Sequence, residues 1–280
     1  MTVTAVDHVV DGLANAPERI IIDKSSIANL AAGQFASLWR ATGQPAQGAI
    51  PGTTPAIPTK ATLGAISFNN PTSPVQSYIG WLFANSANNA MTLEIHDRIA
   101  HMGGLVLNVT TSQAITGLDL SSGGLNPPSA RLGASDYSDI NWWLEVYTDG
   151  GATASNATIN CTFDDGSAAN LNVQAVGGTL RAGRLIPLTP LIATAQQGKF
   201  IRQINSVILS ASTGTAGNFG FTATRPRTVI DLPLANKTEV CDWAQLGLPN
   251  IADDSCLQLV MLTSTTSSGL LRGGGKIIQK

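Results

Sequence analysis

The stretch HDRIAH, from His96 to His101, brings together residue types that are used in acid–base chemistry and in metal binding. Two metal ligands on one helix face stand four positions apart, and two on one strand face stand an even number of positions apart. His96 and His101 are five positions apart, so their spacing fits neither geometry. We therefore interpret the stretch as a polar strand, with His96 and Arg98 on one face and Asp97 on the other.

Two acidic pairs, in Asp164-Asp165-Gly166 and Asp253-Asp254, offer oxygen ligands for a hard cation such as calcium. Neither pair belongs to a calcium-loop pattern with a distal glutamate, and we interpret both as turn and loop carboxylates. The sequence contains no nucleophile elbow, no P-loop, no zinc-protease motif and no evident pair of glycosidase carboxyls. We therefore assign no catalytic, cofactor-binding or metal-binding residue, and we expect no cofactor and no enzymatic activity.

Trp142 and Trp143 are adjacent, so they face opposite sides of a strand. Exposed aromatic rings can stack on sugars, but core packing of one ring and a subunit contact of the other explain the pair better. The three cysteines, Cys161, Cys241 and Cys256, have no zinc-site spacing and are odd in number. We expect buried free thiols, with a Cys241–Cys256 disulfide as the alternative.

Charged residues make up only 12% of the 280 positions, against about 25% in an average domain. The net charge of −2 leaves no basic footprint for nucleic acid. With 43% hydrophobic residues the chain is not disordered, and its sparse charge predicts a surface covered by partner subunits. No run approaches the roughly 20 apolar residues of a membrane span, and the N-terminus lacks the pattern of a secretory signal.

The N-terminal part, residues 1–75, is predicted to be an arm with a short helix and a long loop. Ser25 and Ser26 can cap a helix, after which apolar residues recur at helical spacing: Ile27, Leu30, Ala31, Phe35, Leu38 and Trp39. The alternative is an irregular segment packed on a sheet. From Gly43 to Pro74 the chain is rich in proline and glycine, and we expect an extended arm that lies over a neighbouring subunit.

Residues 76–264 are predicted to form a β-sandwich or jelly-roll-like domain, so the fold class is mainly β. Short strands with turn signals between them recur along this part, namely at 78–84, 91–102, 104–109, 140–148, 158–163, 170–176, 184–188, 201–211, 219–225 and 257–263. Alternation before and after residues 213–218 predicts a hairpin over 207–225. Large residues on both faces of 140–148 predict a strand covered by a second sheet and by a neighbouring subunit.

Residues 265–280 are predicted to be a flexible tail, because serine, threonine and glycine dominate its first part. The alternative is that the last five residues, Lys276–Lys280, add as a strand to the edge of another chain.

The sequence resembles a family of structural proteins of tailed bacteriophages that are encoded beside the head genes, often called minor head proteins. Five stretches carry the resemblance: Arg19–Pro45, Asp97–Gly103, Asp136–Phe163, Val207–Pro226 and Ser255–Gly269. They share strand pattern and small-residue content with the family and contain no catalytic signature.

The resemblance implies an auxiliary virion protein, assembled in the bacterial cytoplasm, that decorates or cements the capsid shell. It also implies the major capsid protein as partner and self-association, with a trimer favoured; neither a membrane nor nucleic acid is an expected partner. The first alternative is a collar, tail or receptor-binding virion protein that contacts host surface glycans. A polysaccharide-degrading enzyme on a β scaffold is a more distant alternative.

Overall fold

The computed structural model describes residues 3–15, 17–178 and 180–280. Met1, Thr2, Ala16 and Thr179, which belong to the predicted arm and sandwich, lie outside the described residues. The strands are β1 Glu18–Lys24, β2 Phe35–Ser37, β3 Gly43–Gln44, β4 Ser77–Ser86, β5 Met91–Leu105, β6 Gln113–Ala114, β7 Asn141–Thr148, β8 Ala154–Phe163, β9 Ala168–Asn170, β10 Gln174–Gly177, β11 Arg184–Pro187, β12 Ile201–Leu209, β13 Asn218–Leu232, β14 Glu239–Asp242, β15 Asn250–Ile251, β16 Leu257–Leu262 and β17 Leu271–Gln279.

The described helices are few and short, and they confirm the mainly-β prediction with a short N-terminal helix. They are the α-helices α1 Val6–Ala14 and α2 Ser129–Leu132 and the 3₁₀ turns Leu38–Arg40, Thr189–Leu191 and Thr194–Gln196. Among the described residues, no helix has both the length and the apolar character that crossing a membrane requires.

The chain divides into two compact units, and each is built from separate parts of the sequence. Unit 1 contains the described residues of Met1–Ala49, together with Thr59–Asp97 and Pro226–Lys280. Unit 2 contains Ile50–Pro58 and Arg98–Arg225. The units therefore do not follow the predicted boundaries at residues 75 and 264.

Unit 1 is organised around an antiparallel sheet with the strand order β14-β4-β17-β1-β3, in which β15 also pairs with β4. A second antiparallel set in the same unit joins β16 to β2 and to the Thr92–Asp97 part of β5. Alternating residues of both sets, such as Ile20, Leu82, Ile95 and Leu259, form one buried cluster. Because successive side chains of a strand point to opposite faces, every second residue of these strands enters one shared core of unit 1.

Unit 2 contains an antiparallel sheet with the order β10-β8-β12-β6, with β9 also on β8. In the same unit, β7 pairs with β11 and with the Asn218–Thr224 part of β13. Apolar side chains of these strands, including Leu144, Ile159, Val207 and Phe221, belong to one buried core.

The helix predicted after Ser25 and Ser26 is wrong, and the alternative of an irregular packed segment is correct. Asn29 and Gly33 adopt left-handed backbone angles, which interrupt a helix. Residues 35–40 form β2 and a 3₁₀ turn, while Leu30 and Leu38 enter the core. The α-helix that the structure describes within residues 1–75 is α1, Val6–Ala14, which lies before the predicted position.

The proline-rich segment 43–74 is not a free arm, because its parts bond and pack within their own units. In unit 1, the indole N–H of Trp39 donates to the Ala49 carbonyl at 2.9 Å, and the Ile66 N–H donates to the Leu257 carbonyl at 2.8 Å. In unit 2, Ala56 and His101 exchange backbone hydrogen bonds. Backbone donors of a loop need partners, and here the chain's own strands and side chains supply them.

Two expectations for the predicted sandwich are also wrong. The strands on either side of residues 213–218 do not form a hairpin, since β12 pairs with β8 and β6 whereas β13 pairs with β7. Both faces of β7 are covered by the chain itself, because its residues Trp142–Tyr147 are all buried. No neighbouring subunit is needed to explain the large residues of this strand.

The predicted flexible tail contains β17, which lies between β4 and β1 in the sheet of unit 1. Its three glycines serve close packing rather than flexibility. A Cβ on Gly273 would lie 2.2 Å from the Phe83 carbonyl oxygen, and one on Gly275 would lie 2.4 Å from that of Trp81. Larger residues would push the neighbouring strands apart.

Removing residues 271–280 should unfold unit 1, because it deletes an interior strand and leaves β4 and β1 without their shared partner. We expect loss of protection from amide hydrogen exchange in β1 and β4, measured by mass spectrometry. Arg272→Ala is the matched control, since that side chain is 68% exposed, and it should retain full protection. Unchanged protection in the truncated chain would contradict this role of β17.

Candidate functional site

A buried polar network in unit 2 contains the charged residues that first suggested chemistry. Arg98 and His101 lie on β5, Glu145 and Tyr147 on β7, and Thr222 on β13. The Arg98 guanidinium lies 2.7 Å from a Glu145 carboxylate oxygen, with side-chain exposures of 0% and 1%. Arg98 also donates to His101 Nδ1 at 2.8 Å and to the Tyr147 hydroxyl at 3.0 Å. The same Glu145 oxygen accepts from Thr222 at 2.5 Å and from Tyr147 at 3.1 Å.

The environment of this network keeps His101 and Tyr147 from titrating near neutral pH. Burial, and secondarily the Arg98 charge, lowers the pKa of His101 to about 2. Burial and the nearby Glu145 carboxylate raise the pKa of Tyr147. A general acid or base needs a pKa near the operating pH and access to substrate. The arrangement is therefore suited to joining three strands of unit 2, and it does not resemble a reactive centre.

The other members of the stretch have structural partners in unit 1. His96 lies on β5 with its Nε2 2.5 Å from a Glu94 carboxylate oxygen. The Asp97 carboxylate accepts from the Ser255 hydroxyl and from the Cys256 N–H, both at 2.9 Å. The interpretation of a polar strand agrees with these contacts.

The two acidic pairs occupy turns, as their sequence indicated. Asp165 accepts from Ser167 and lies 2.8 Å from the Lys199 ammonium, which lowers its pKa. Asp254 lies 3.8 Å from Lys60 and accepts from the Asn70 amide. Across the described ranges, no group of three or more His, Cys, Asp or Glu side chains is arranged to hold a metal ion.

The tryptophan pair and the cysteines belong mainly to the interior. Trp142 donates its indole N–H to the Ile201 carbonyl at 2.7 Å, and Trp143 donates to the Thr224 hydroxyl at 2.8 Å. Both rings are buried, so neither provides a sugar platform or a subunit contact. All three cysteines are free thiols, and Cys241 alone among them is only half-buried. Burial raises the pKa of Cys161 to about 12, which makes that thiol unreactive.

The strongest candidate for function is an open surface on unit 1, which we call the outer face. It consists of the outward side chains of β14, β4, β17 and β1, arranged by the strand register in two rows. One row runs Asp242, Trp81, Lys276, Arg19, and the next runs Val240, Phe83, Gly274, Ile21. The helix α1 covers one end of this face, where Gly12 and Leu13 approach Ile278 and Gly80.

The outer face has one apolar row, Val240-Phe83-Gly274-Ile21, beside a row in which Trp81 lies among charged residues. Ile21 is 56% exposed and Val240 is 51% exposed, and the half-buried rings of Trp81 and Phe83 contact each other with their centroids 5.1 Å apart and their planes tilted by 44°. The Lys276 ammonium lies 6.0 Å from the Trp81 ring. Exposed apolar groups with charges around them are typical of interaction surfaces, which makes the outer face the strongest candidate among the described residues.

Sequence reasoning missed this surface, although one signal was present. The pattern of Trp81 and Phe83 alternating with Leu82 and Ala84 indicates a strand with apolar residues on both faces. The strand pairing, which places β14 beside β4 and β1 beside β17, is needed to show that the side of β4 with Trp81 and Phe83 belongs to an open sheet face.

Arg98→Met should destabilise unit 2 by about 3–5 kcal/mol, because it leaves the Glu145 charge buried without its cation. The double variant Arg98→Met/Glu145→Met should be more stable than Arg98→Met, since it removes both charges. Urea unfolding of the wild type, Arg98→Met, Glu145→Met and the double variant gives the coupling free energy between the two residues. Additive effects of the two substitutions would contradict a coupled ion pair.

His101→Gln should reduce the loss of stability in acid. As pH falls below about 6.5, the unfolded state binds a proton at His101 that the native state, with a pKa of about 2, does not bind. The wild type should therefore lose up to about 1.4 kcal/mol more stability per pH unit than the variant. Urea unfolding at pH 8, 6, 5 and 4 measures both slopes, and pH 8 gives the baseline effect of the substitution. Parallel slopes would contradict a neutral buried His101.

Comparison with known proteins does not assign the chain to a family. No protein-family model matches the sequence, and no curated protein matches it. Among solved structures, the VP2 subviral particle of infectious bursal disease virus aligns over 97% of this chain and 85% of that chain, with 12% identity and a TM-score of 0.19. The Gx strain of the same virus aligns over 95% and 82%, with 10% identity and a TM-score of 0.18. Scores this low do not establish a shared fold, so no property of those particles is transferred to this chain.

Proposed function

We propose that this chain is a structural virion protein of a tailed bacteriophage, which decorates or cements the capsid shell through subunit contacts. The observation that carries the proposal is the outer face of unit 1, where Ile21, Val240, Trp81 and Phe83 form an open apolar strip between charged residues. The resemblance of five sequence stretches to phage head proteins supports the same role, and it is the reason for proposing a tailed-bacteriophage particle as its setting.

The physical basis of such a role is burial of apolar surface without a chemical step. Each contact of the outer face with a shell subunit removes apolar area from water, and the gain is repeated at every equivalent lattice position. The low charge of the chain favours this behaviour, since few ionised groups must lose water when the contact forms. The role proposed here needs neither catalysis nor a cofactor, and its partner is the major capsid protein.

The copy number of this chain in purified particles tests the proposal directly. Quantitative mass spectrometry against the major shell protein should give an integer or simple-fraction ratio. In phage carrying Phe83→Ser the ratio should fall at least tenfold, because the ring is part of the outer face. Val229→Ser is the matched control, as Val229 is 53% exposed and lies outside the outer face, and it should leave the ratio unchanged.

Three results would count against the proposal. Absence of the chain from particles would exclude a virion role. A ratio far below a simple fraction would move the chain to the collar, tail or vertex, and glycan-array binding by the purified chain would then support the receptor-binding alternative. An unchanged ratio for Phe83→Ser would exclude the outer face as the contact with the shell.

A further inference from the structure

The sheet of unit 1 has incomplete pairing at both of its ends. At one end, β3 pairs with β1 only at Asp23 and Lys24, so residues 19–22 have no backbone partner on that side within the described chain. At the other end, β14 pairs with β4 and has no described strand on its outer side. Open strand edges are templates for pairing with another chain.

The backbone hydrogen bonds at the two edges show which backbone groups point outward. The Ser25 N–H donates to the Thr42 carbonyl, so the odd-numbered residues of β1 direct their backbone groups toward the β3 side. The Leu246 N–H donates to the Asp242 carbonyl from outside the sheet, so the even-numbered residues of β14 point away from β4. Ile21 and Val240 therefore present their N–H and C=O groups at opposite ends of the same row.

We propose that β14 of one copy of this chain pairs with β1 of a second copy, with Val240 opposite Ile21. The strand directions alternate from β1 through β17 and β4 to β14, so a second copy that continues the sheet brings β14 antiparallel to β1. Ile21 and Val240 then exchange two backbone hydrogen bonds, and their exposed side chains meet as a cross-strand apolar pair. In the neighbouring row, Asp242 comes opposite Arg19.

Charge and shape support a second copy as the occupant. The incoming strand carries Asp242 on its outer side, opposite Arg19 of the receiving edge, where Lys60 also lies, 3.8 Å from Asp254. These two cations line a pocket of about 320 Å³ beside β1, together with Ile21, Pro45 and Leu63. Leu63 is 62% exposed and is available to cover an added strand. The pocket wall is fixed by the buried Lys24, whose ammonium donates to the Ala41 and Pro45 carbonyls at 2.9 and 2.6 Å.

The pairing joins two different surfaces of the same chain, so it is head-to-tail. Such contacts produce a closed ring where the rotation between copies closes, and an open fibre where it does not. The inference concerns self-association of the purified chain, and it does not depend on the proposed virion role.

Size-exclusion chromatography with light scattering tests the inference on the purified full-length chain over a range of concentrations. The wild type should form a species larger than a monomer. Ile21→Lys and Val240→Asp should each weaken association at least tenfold, since each places a lone charge against an apolar residue. The double variant Ile21→Lys/Val240→Asp should recover association, because opposite charges then meet across the strands. Leu234→Lys is the matched control, being 54% exposed and outside both edges, and it should associate as the wild type does.

Several outcomes would overturn the inference. A wild-type chain that stays monomeric at its highest soluble concentration would exclude the pairing. Equal association of wild type and Ile21→Lys, or a double variant no better than either single variant, would place any contact elsewhere. A monomeric chain that is nevertheless present in particles at a simple ratio would leave the proposed function intact and remove only this inference.

Discussion

The insertion of β17 between β4 and β1 is the contact on which unit 1 depends. It pairs the last strand of the chain with the first one, so the unit is complete only when both ends of the sequence are present. The run Gly273-Gly274-Gly275 permits this, because carbonyl oxygens of the flanking strands occupy the space of a side chain. The same insertion places Lys276 and Gly274 in the middle of the outer face, and it separates the two edges that remain open.

Some charged residues of this protein are buried and paired, whereas others are exposed on the outer face. In unit 2, Arg98 and Glu145 are buried and paired with each other, and they also contact Tyr147, Thr222 and His101, so they contribute to the positioning of strands. Once ionised groups are enclosed in this way, breaking one contact leaves another group without compensation. In unit 1, Arg19 and Asp242 are exposed at opposite ends of one row, and one Asp242 carboxylate oxygen accepts from the N–H groups of Ala244 and Gln245. The burial of a charge, more than its presence in the sequence, separates a structural role from a role in recognition.

A surface that combines exposed apolar side chains with open strand edges tends to associate with other chains, and most monomeric proteins cover or charge such edges. Here one row of the outer face carries charges, but the row from Val240 to Ile21 carries none. A protein assembled into a large particle gains from this property, because each contact is repeated by symmetry. The proposed virion role and the proposed pairing of β14 with β1 both follow from this one feature.

The sequence by itself determined the mainly-β class, most strand positions and the structural character of the stretch from His96 to His101, because alternation and residue spacing are local properties. It did not determine which strands pair: β12 and β13 look like a hairpin but belong to different sheets. It also misplaced the helix, because Leu30 and Leu38 enter the core through tertiary contacts of an irregular segment rather than from one face of a helix. Only the tertiary structure decided that the glycine-rich C-terminus is an interior strand and that one sheet face stays open. Strand partners and solvent exposure depend on residues that are distant in the chain, and local sequence patterns carry no information about them.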